Sequence, residues 1–466
     1  MMIGRKLMRL CCIGALLPIH AMAQQQAPAP VGLRELLLRV TTNAPSLAAD
    51  ESAIRVKSAQ EEATRFNWLP SLKLNYQAAL GTNNNIPGGY FSNGIVPGNS
   101  RVREAGNNST ILTDLGIAAF DWELYNFGGY NAQRDVAKSE TALEKARYAQ
   151  SKYQLQAYAL NGYLQLLRLG EQQSIQQLNI TRNVEIRRSI QSLAVSGVKA
   201  GVDTSIAEAE LSRSRLDLME LNNQVKQLQL QLSAISGLPP QAIVADTTLP
   251  DKMYAAFLQL GAWEGDTSFA GHPLLQVQEL METNSLYREE QVRKSYNPKV
   301  LLQAAAGGRG SSVSPEDEFR ALSKGFGFER NNYLVGLGIS FNIFDLKKRQ
   351  LQLHTQQAQT AYARKKIEEQ ANVLQTGNAQ ADVELETARD RLVEMPHQLE
   401  AAQAAYRQKF SLYKNGLTDI VELNAALAIL YRAETGYTAA RYAYCRAMFQ
   451  KAYTTNQLEA LLNLLN

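Results

Sequence analysis

The chain has 466 residues, 45% of them hydrophobic and 20% charged, with a formal net charge of +4. That balance can bury an ordinary globular core. The charge is too small, and no basic cluster interleaves with aromatics, so nucleic-acid binding has no support.

The first 23 residues read as a cleaved secretory signal. Arg5, Lys6 and Arg9 precede an apolar run at 10–19, and Ala21-Met22-Ala23 places small residues before Gln24. A lipoprotein signal through Cys11 or Cys12 is the weaker alternative, because both stand before most of the apolar run. Without the signal only Cys445 remains, and His272, His354 and His397 are scattered without ligand spacing, so neither a disulfide framework nor a metal or other cofactor is expected. No later stretch has the roughly 20 uninterrupted apolar residues of a membrane helix.

After a helix-patterned run, the segment SLKLNYQAAL alternates Leu72, Leu74, Tyr76, Ala78 and Leu80 with Ser71, Lys73, Asn75, Gln77 and Ala79, the pattern of a two-faced strand. The same passage recurs later. Pro45 and Pro70 match Pro273 and Pro298 at one constant spacing, and Leu72, Leu74 and Ala78 fall on Val300, Leu302 and Ala306. Gly/Asn/Ser/Pro-rich stretches follow each strand and read as loops; Gly307, Gly308 and Gly310 are assigned to the second loop, with no phosphate-binding fingerprint after them. Each loop leads to another alternating strand, with Ile111, Leu115, Ile117 and Ala119 in one and Tyr333, Val335, Leu337, Ile339 and Phe341 in the other.

Those strands enter LYNFGG and IFDLKK, where Asn126 matches Asp345. Residues 130–196 and 347–414 then hold no proline except Pro396, enough for helices spanning roughly 100 Å. Gly197 and Gly416 mark matching turns, and beyond them Leu211, Ser214, Leu218, Leu221, Val225, Leu228, Leu232 and Ile235 form a coiled-coil seam that maps onto Leu430, Ala433, Tyr437, Ala440 and Tyr444. The expected organisation is a signal at 1–23, a first repeat at 24–236 with strands near 71–80 and 111–120, a connector at 237–271, and a second repeat at 272–466 with strands near 299–307 and 332–343.

Coiled-coil periodicity alone also describes a structural rod or an exported adhesin, but neither explains the paired strands. Their length suits a tilted crossing of a bilayer core. Four strands cannot close a barrel and an open edge is not tolerated in lipid, so several copies are expected to share one. No nucleophile elbow or HExxH motif suggests an enzyme.

The signal, the duplicated strand-loop-strand, LYNFGG, IFDLKK, and the turns SGVKAGVDTSIAEAEL and NGLTDIVELNAAL together resemble the TolC-type outer-membrane efflux protein family over essentially the whole mature chain. The resemblance implies a mainly helical fold. In that fold three chains build a 12-stranded outer-membrane β-barrel continued by a periplasmic α-helical barrel. It also implies a homotrimeric duct for drug efflux or type I secretion, held in outer-membrane lipid and working with a periplasmic adaptor and an inner-membrane transporter. Carried over residue by residue, the adaptor-docking tips are Gly197, Val198, Gly416, Leu417 and Thr418, and the periplasmic entrance is ringed by Asp203 and Glu422. Glu422 departs from the family's usual Asp, and Asp419 nearby competes for the lumen-facing role. The bland alternative is that the glycines cap helices and the acids complement helix dipoles.

Overall fold

The computed structural model describes residues 31–82, 84, 104–195, 201–244, 246, 252, 253, 255 and 269–463. The expected signal, Gly197 and Val198, and most of the first hairpin loop and the connector lie outside them. Helices α1 (Leu33–Asn43) and α2 (Pro45–Arg65) lead to strands β1 (Ser71–Gly81) and β2 (Ile111–Tyr125), then to helices α3 (Gly129–Val195) and α4 (Val202–Ser236). The order repeats as α5 (Pro273–Ser295), β3 (Lys299–Ser311), β4 (Arg330–Ser340), α6 (Asp345–Lys414) and α7 (Ile420–Thr454), closed by α8 (Leu458–Asn463). Among the described residues no helix is long and apolar enough to cross a membrane.

Pro45 and Pro273 each occupy the first helical turn, where a missing N–H costs nothing, and so start α2 and α5. The 67 residues of α3 and the 70 of α6 give lengths of about 100 Å. A helix so long cannot be stabilised by its ends, and each is instead flanked by shorter helices. Lys57 and Arg288, from α2 and α5, both reach Glu140 on the first half of α3, while Gln173 on its second half bonds Asn222 of α4. Along α6 the same division holds: Arg364 pairs with Glu282 of α5, and Asp382 with Lys451 of α7. The α6 helix continues through Pro396.

The largest core lies at the level where flanking helices change over. Leu36 and Val40 of α1, Leu160 and Tyr163 of α3, Leu232 of α4, Tyr444 and Met448 of α7 and Leu461 of α8 pack there. The seam residues Leu211, Ser214, Leu228, Leu232, Leu430, Ala433, Ala440 and Tyr444 are buried, with Leu218, Leu221, Val225, Ile235 and Tyr437 half-buried between them. Gly162 admits a close crossing, since a Cβ there would meet Leu232 Cδ2 at 2.9 Å.

The four strands form one antiparallel sheet in the order β1-β2-β3-β4. Three details differ from the sequence reading. β2 and β3 run on to Tyr125 and Ser311, whereas β4 stops at Ser340, so Phe341 belongs to the turn into α6. Gly307, Gly308 and Gly310 lie inside β3, not in a loop: the chain folds back over Gly308 and Gly310, where a Cβ on Gly310 would stand 1.9 Å from the Gly327 carbonyl oxygen, while Gly307, on the other face, abuts Ile117 of β2. Asn126 and Asp345 also differ in role. Asn126 is buried and its Oδ1 accepts from Tyr130 N–H at 3.3 Å, while in the second half it is Asn342 that accepts, from Phe344 N–H at 3.2 Å.

His272 fastens the start of α5 to this core. Its Nδ1 accepts from Leu274 N–H at 3.2 Å, which leaves the ring proton on Nε2, 3.0 Å from the Tyr453 carbonyl oxygen; Tyr153 Oη donates to that same oxygen at 2.6 Å. Burial holds the imidazole pKa below its ordinary value. A protonated ring would turn Nδ1 into a donor facing another donor. The folded state thus favours neutral His272, so stability is full above the unfolded value of about 6.5 and declines as pH falls toward the lower folded value. Thermal unfolding of the detergent-purified protein, followed by helix content, is expected to shift down on acidification through that window, and His272→Gln to remove its share of the slope.

Candidate functional site

The α6–α7 hairpin turns at the end of α6 remote from the sheet, and its turn is built by two backbone rules. At the end of α6, Gly416 takes a left-handed φ of 76°, its N–H donates to the Tyr413 carbonyl, and Leu417 N–H reaches back to the Leu412 carbonyl, both at 2.9 Å. This paired arrangement satisfies carbonyls that a helix end otherwise leaves open. Asp419 then opens α7: its Oδ1 accepts from Glu422 N–H at 2.8 Å. Between them Leu417 stands 73% exposed.

The two predicted entrance acids both bond to the last turns of α6. Asp203, in the first turn of α4, accepts from Tyr413 Oη at 3.3 Å. Glu422 accepts from Lys409 Nζ and, at 2.7 Å, from Thr418 Oγ1. Lys409 and Tyr413 are one helical turn apart on α6 and share a face. The hydrogen bond from Lys409, then that from Thr418, holds the exposed Glu422 carboxyl below its usual pKa. Burial, reinforced by the Asp203 charge, pushes the Tyr413 phenol up to about 12, so it remains a proton donor. Lys414 lies 4.4 Å from the Phe410 ring centroid and 3.7 Å from Glu185 of α3. Beneath these polar contacts Ile186, Ile190, Ala207, Tyr406, Tyr413, Ile420 and Leu423 form a separate core that gathers all four helices. Higher up, Arg182 of α3 grips Glu434 of α7 through both guanidinium nitrogens at 2.8 and 2.7 Å.

Asp419 is therefore a helix cap, and Glu422 is half of an ion pair. Sequence reasoning missed both partners, Lys409 and Tyr413. The Tyr413–Asp203 bond joins residues 210 positions apart, and nothing in the local pattern marks either end of it.

At the other end, the strand register sorts the sheet into two unlike faces. On one lie Leu72, Leu74, Tyr76, Phe120, Trp122, Val300, Leu302, Val335, Leu337 and Ile339, with Asp114 near the outer rim as the one charge. On the other lie Lys73, Asn75, Gln77, Asp121, Glu123, Lys299, Gln303, Arg309 and Arg330, linked by Lys299–Glu123 at 2.8 Å and Gln303–Asp121 at 2.9 Å. Leu115 and Ile117 fall on the charged face, so the apolar sets of β1 and β2 do not coincide. Both outer strands are open. Among the described residues β1 pairs only with β2 and β4 only with β3, and the residues of both are almost all exposed.

Long antiparallel helical hairpins joined to a small open sheet of membrane-length strands define the architecture of an outer-membrane channel. The outer membrane efflux protein family model matches residues 36–238 and 266–450, and the chain belongs to that family. It is an outer-membrane efflux channel with a periplasmic extension. Three solved structures share the fold. The outer-membrane channel OprN is 18% identical, with a TM-score of 0.69 over 91% of this chain and 90% of its own. VceC of Vibrio cholerae is 13% identical, with a TM-score of 0.68 over 91% and 95%. The CmeC channel of Campylobacter jejuni is also 13% identical, with a TM-score of 0.71 over 91% and 86%. No curated protein sequence matches the chain.

The capping geometry makes a direct prediction. Gly416→Ala places a Cβ in the left-handed region at a cost of about 1–2 kcal/mol. Asp419→Ala removes the cap at a cost of about 1 kcal/mol. In both, hydrogen exchange is expected to rise over residues 412–424 and to stay unchanged in α5.

Proposed function

We propose that three copies of this chain share one 12-stranded barrel, and that the duct they form receives solutes from an inner-membrane transporter through a periplasmic adaptor, in efflux or type I secretion. The observation that carries this reading is the sheet: four strands with both edges unpaired and one face nearly free of charge. Backbone groups left open in lipid cost several kcal/mol each, so the edges need partners, and strands from identical chains supply them. The uncharged face meets lipid, and the face of Lys73, Asp121, Glu123, Lys299 and Arg309 lines the water-filled lumen. Below the membrane, helices about 100 Å long carry the lumen across the periplasm.

The tips formed by Gly197 and Val198 in one hairpin and by Gly416, Leu417 and Thr418 in the other meet the adaptor. The exposed Leu417 offers an apolar contact there. Asp203 and Glu422 ring the entrance. Because Lys409 offsets the Glu422 charge, Asp203 supplies the larger part of the cation-attracting field, and Asp419 acts through helix capping.

Light scattering of the detergent-solubilised protein is expected to give the mass of three chains; a monodisperse monomer would refute the shared barrel. In planar bilayers under a salt gradient, Asp203→Ala should move the reversal potential toward lower cation selectivity. Lys409→Gln, which frees Glu422, should move it the other way, and unchanged values in both would remove these acids from the entrance. Leu417→Asp should leave assembly intact and abolish complementation of an efflux- or secretion-deficient strain at equal membrane abundance. Full complementation would exclude a docking role.

A further inference from the structure

The segment between β3 and β4 does not extend away from the sheet. Ser312 stays in register with β2, its N–H bonding the Leu112 carbonyl at 2.8 Å and its Oγ accepting from Leu112 N–H at 2.9 Å. The chain then makes a short 3-10 turn at Leu322–Gly325 and comes back down over the uncharged face. Gly327 N–H donates to Asp114 Oδ2 at 3.0 Å, which ties the segment to β2 and occupies the only charge on that face.

This return puts Phe328 over Gly116 and Gly308. A Cβ on either glycine would stand 2.5 Å from the Phe328 ring, so the approach exists only because both lack a side chain. The ring rests directly on Gly116 and Gly308, and beside it Ala118 and Ala306 form the floor of a trough of about 590 Å³, walled by Tyr76, Phe328 and Tyr333. The walls carry exposed rings, with Tyr76 at 61%, Phe328 at 52% and Tyr333 at 87%, and Tyr76 and Phe328 meet edge to face with centroids 6.4 Å apart. No charged residue lines it.

We propose that this trough seats one acyl chain of a membrane lipid, with Phe328 as the wall that ends it. Three observations select this occupant. The trough runs without a break into the uncharged band of Leu72, Leu302, Leu337 and Ile339. Its open floor carries no side chain larger than a methyl group, and its walls are exposed aromatic rings. Exposed Phe326 and Leu322 on the same segment have favourable surroundings in lipid and not in a water-filled lumen. The proposal rests on the reading of the uncharged face as the lipid face.

The test uses the full-length protein in proteoliposomes containing phosphatidylethanolamine with a photoreactive diazirine on one acyl chain, and maps adducts residue by residue. Labelling is expected at Tyr76, Phe328 and Tyr333 as well as at Leu72 and Ile339. Ala306→Phe fills the trough and should cut labelling at Tyr76 and Tyr333 by about tenfold, the equivalent of losing roughly two methylene contacts, while Leu72 and Ile339 keep theirs. Phe328→Ala, a change at an exposed side chain that leaves the sheet pairing intact, should have the same selective effect on Tyr76. Equal labelling of trough and band in both variants would show only bulk lipid contact and overturn the seated chain. Absence of labelling at Leu72 and Ile339 as well would overturn the lipid-face reading itself.

Discussion

The main chain's need to satisfy its own hydrogen bonds where water is absent governs the rest of this molecule. Four strands can pair three times within the chain, and β1 and β4 are each left with one open edge. In water such edges invite aggregation; in lipid they are too costly to leave unmade. The sheet is thus incomplete as a single chain. Register divides it into a charged face and an uncharged one, and the ion pair Lys299–Glu123 joins two charges on the charged face.

The helices solve a different problem. A span of about 100 Å cannot be a compact core, because no side chain sees residues far along its own axis. Stability is therefore distributed laterally, and each long helix is paired along its length by two shorter ones. The changeover between flanking helices is where lateral pairing would lapse. The deepest core sits there, with α1, α8 and the buried knot of His272, Tyr153 and Tyr453 closing the gap.

At the tip the same economy recurs on a smaller scale. Gly416 and Asp419 satisfy the backbone of a tight turn, which leaves Leu417 outside any helix seam and free to present an apolar surface. One face of α6 holds both acids, Asp203 through Tyr413 and Glu422 through Lys409. The two are chemically unequal as a result: one carboxylate is bonded by a neutral phenol and keeps its charge uncompensated by that bond, while the other faces an ammonium group.

By itself, the sequence determined the recurring order of helix and strand, the length of the helices and the alternation within the strands, because proline, glycine and side-chain periodicity act over a few residues. Leu72, Leu74 and Tyr76 alternate whatever they pair with, and Leu211, Leu228 and Leu232 repeat at a helical spacing wherever the helix docks. The tertiary structure alone decided which faces coincide. Register put Ile117 beside Asn75 and not beside Leu74, and pairing with β2 drew Gly307, Gly308 and Gly310 from an expected loop into β3, with the returning chain packed on the last two. It likewise decided that Asp419 caps a helix and that Asp203 and Glu422 find different partners, since Tyr413 lies 210 residues from Asp203 and Lys409 lies on the opposite side of the turn from Glu422. Pairings across such separations depend on how long elements lie side by side, and local preference carries no record of that.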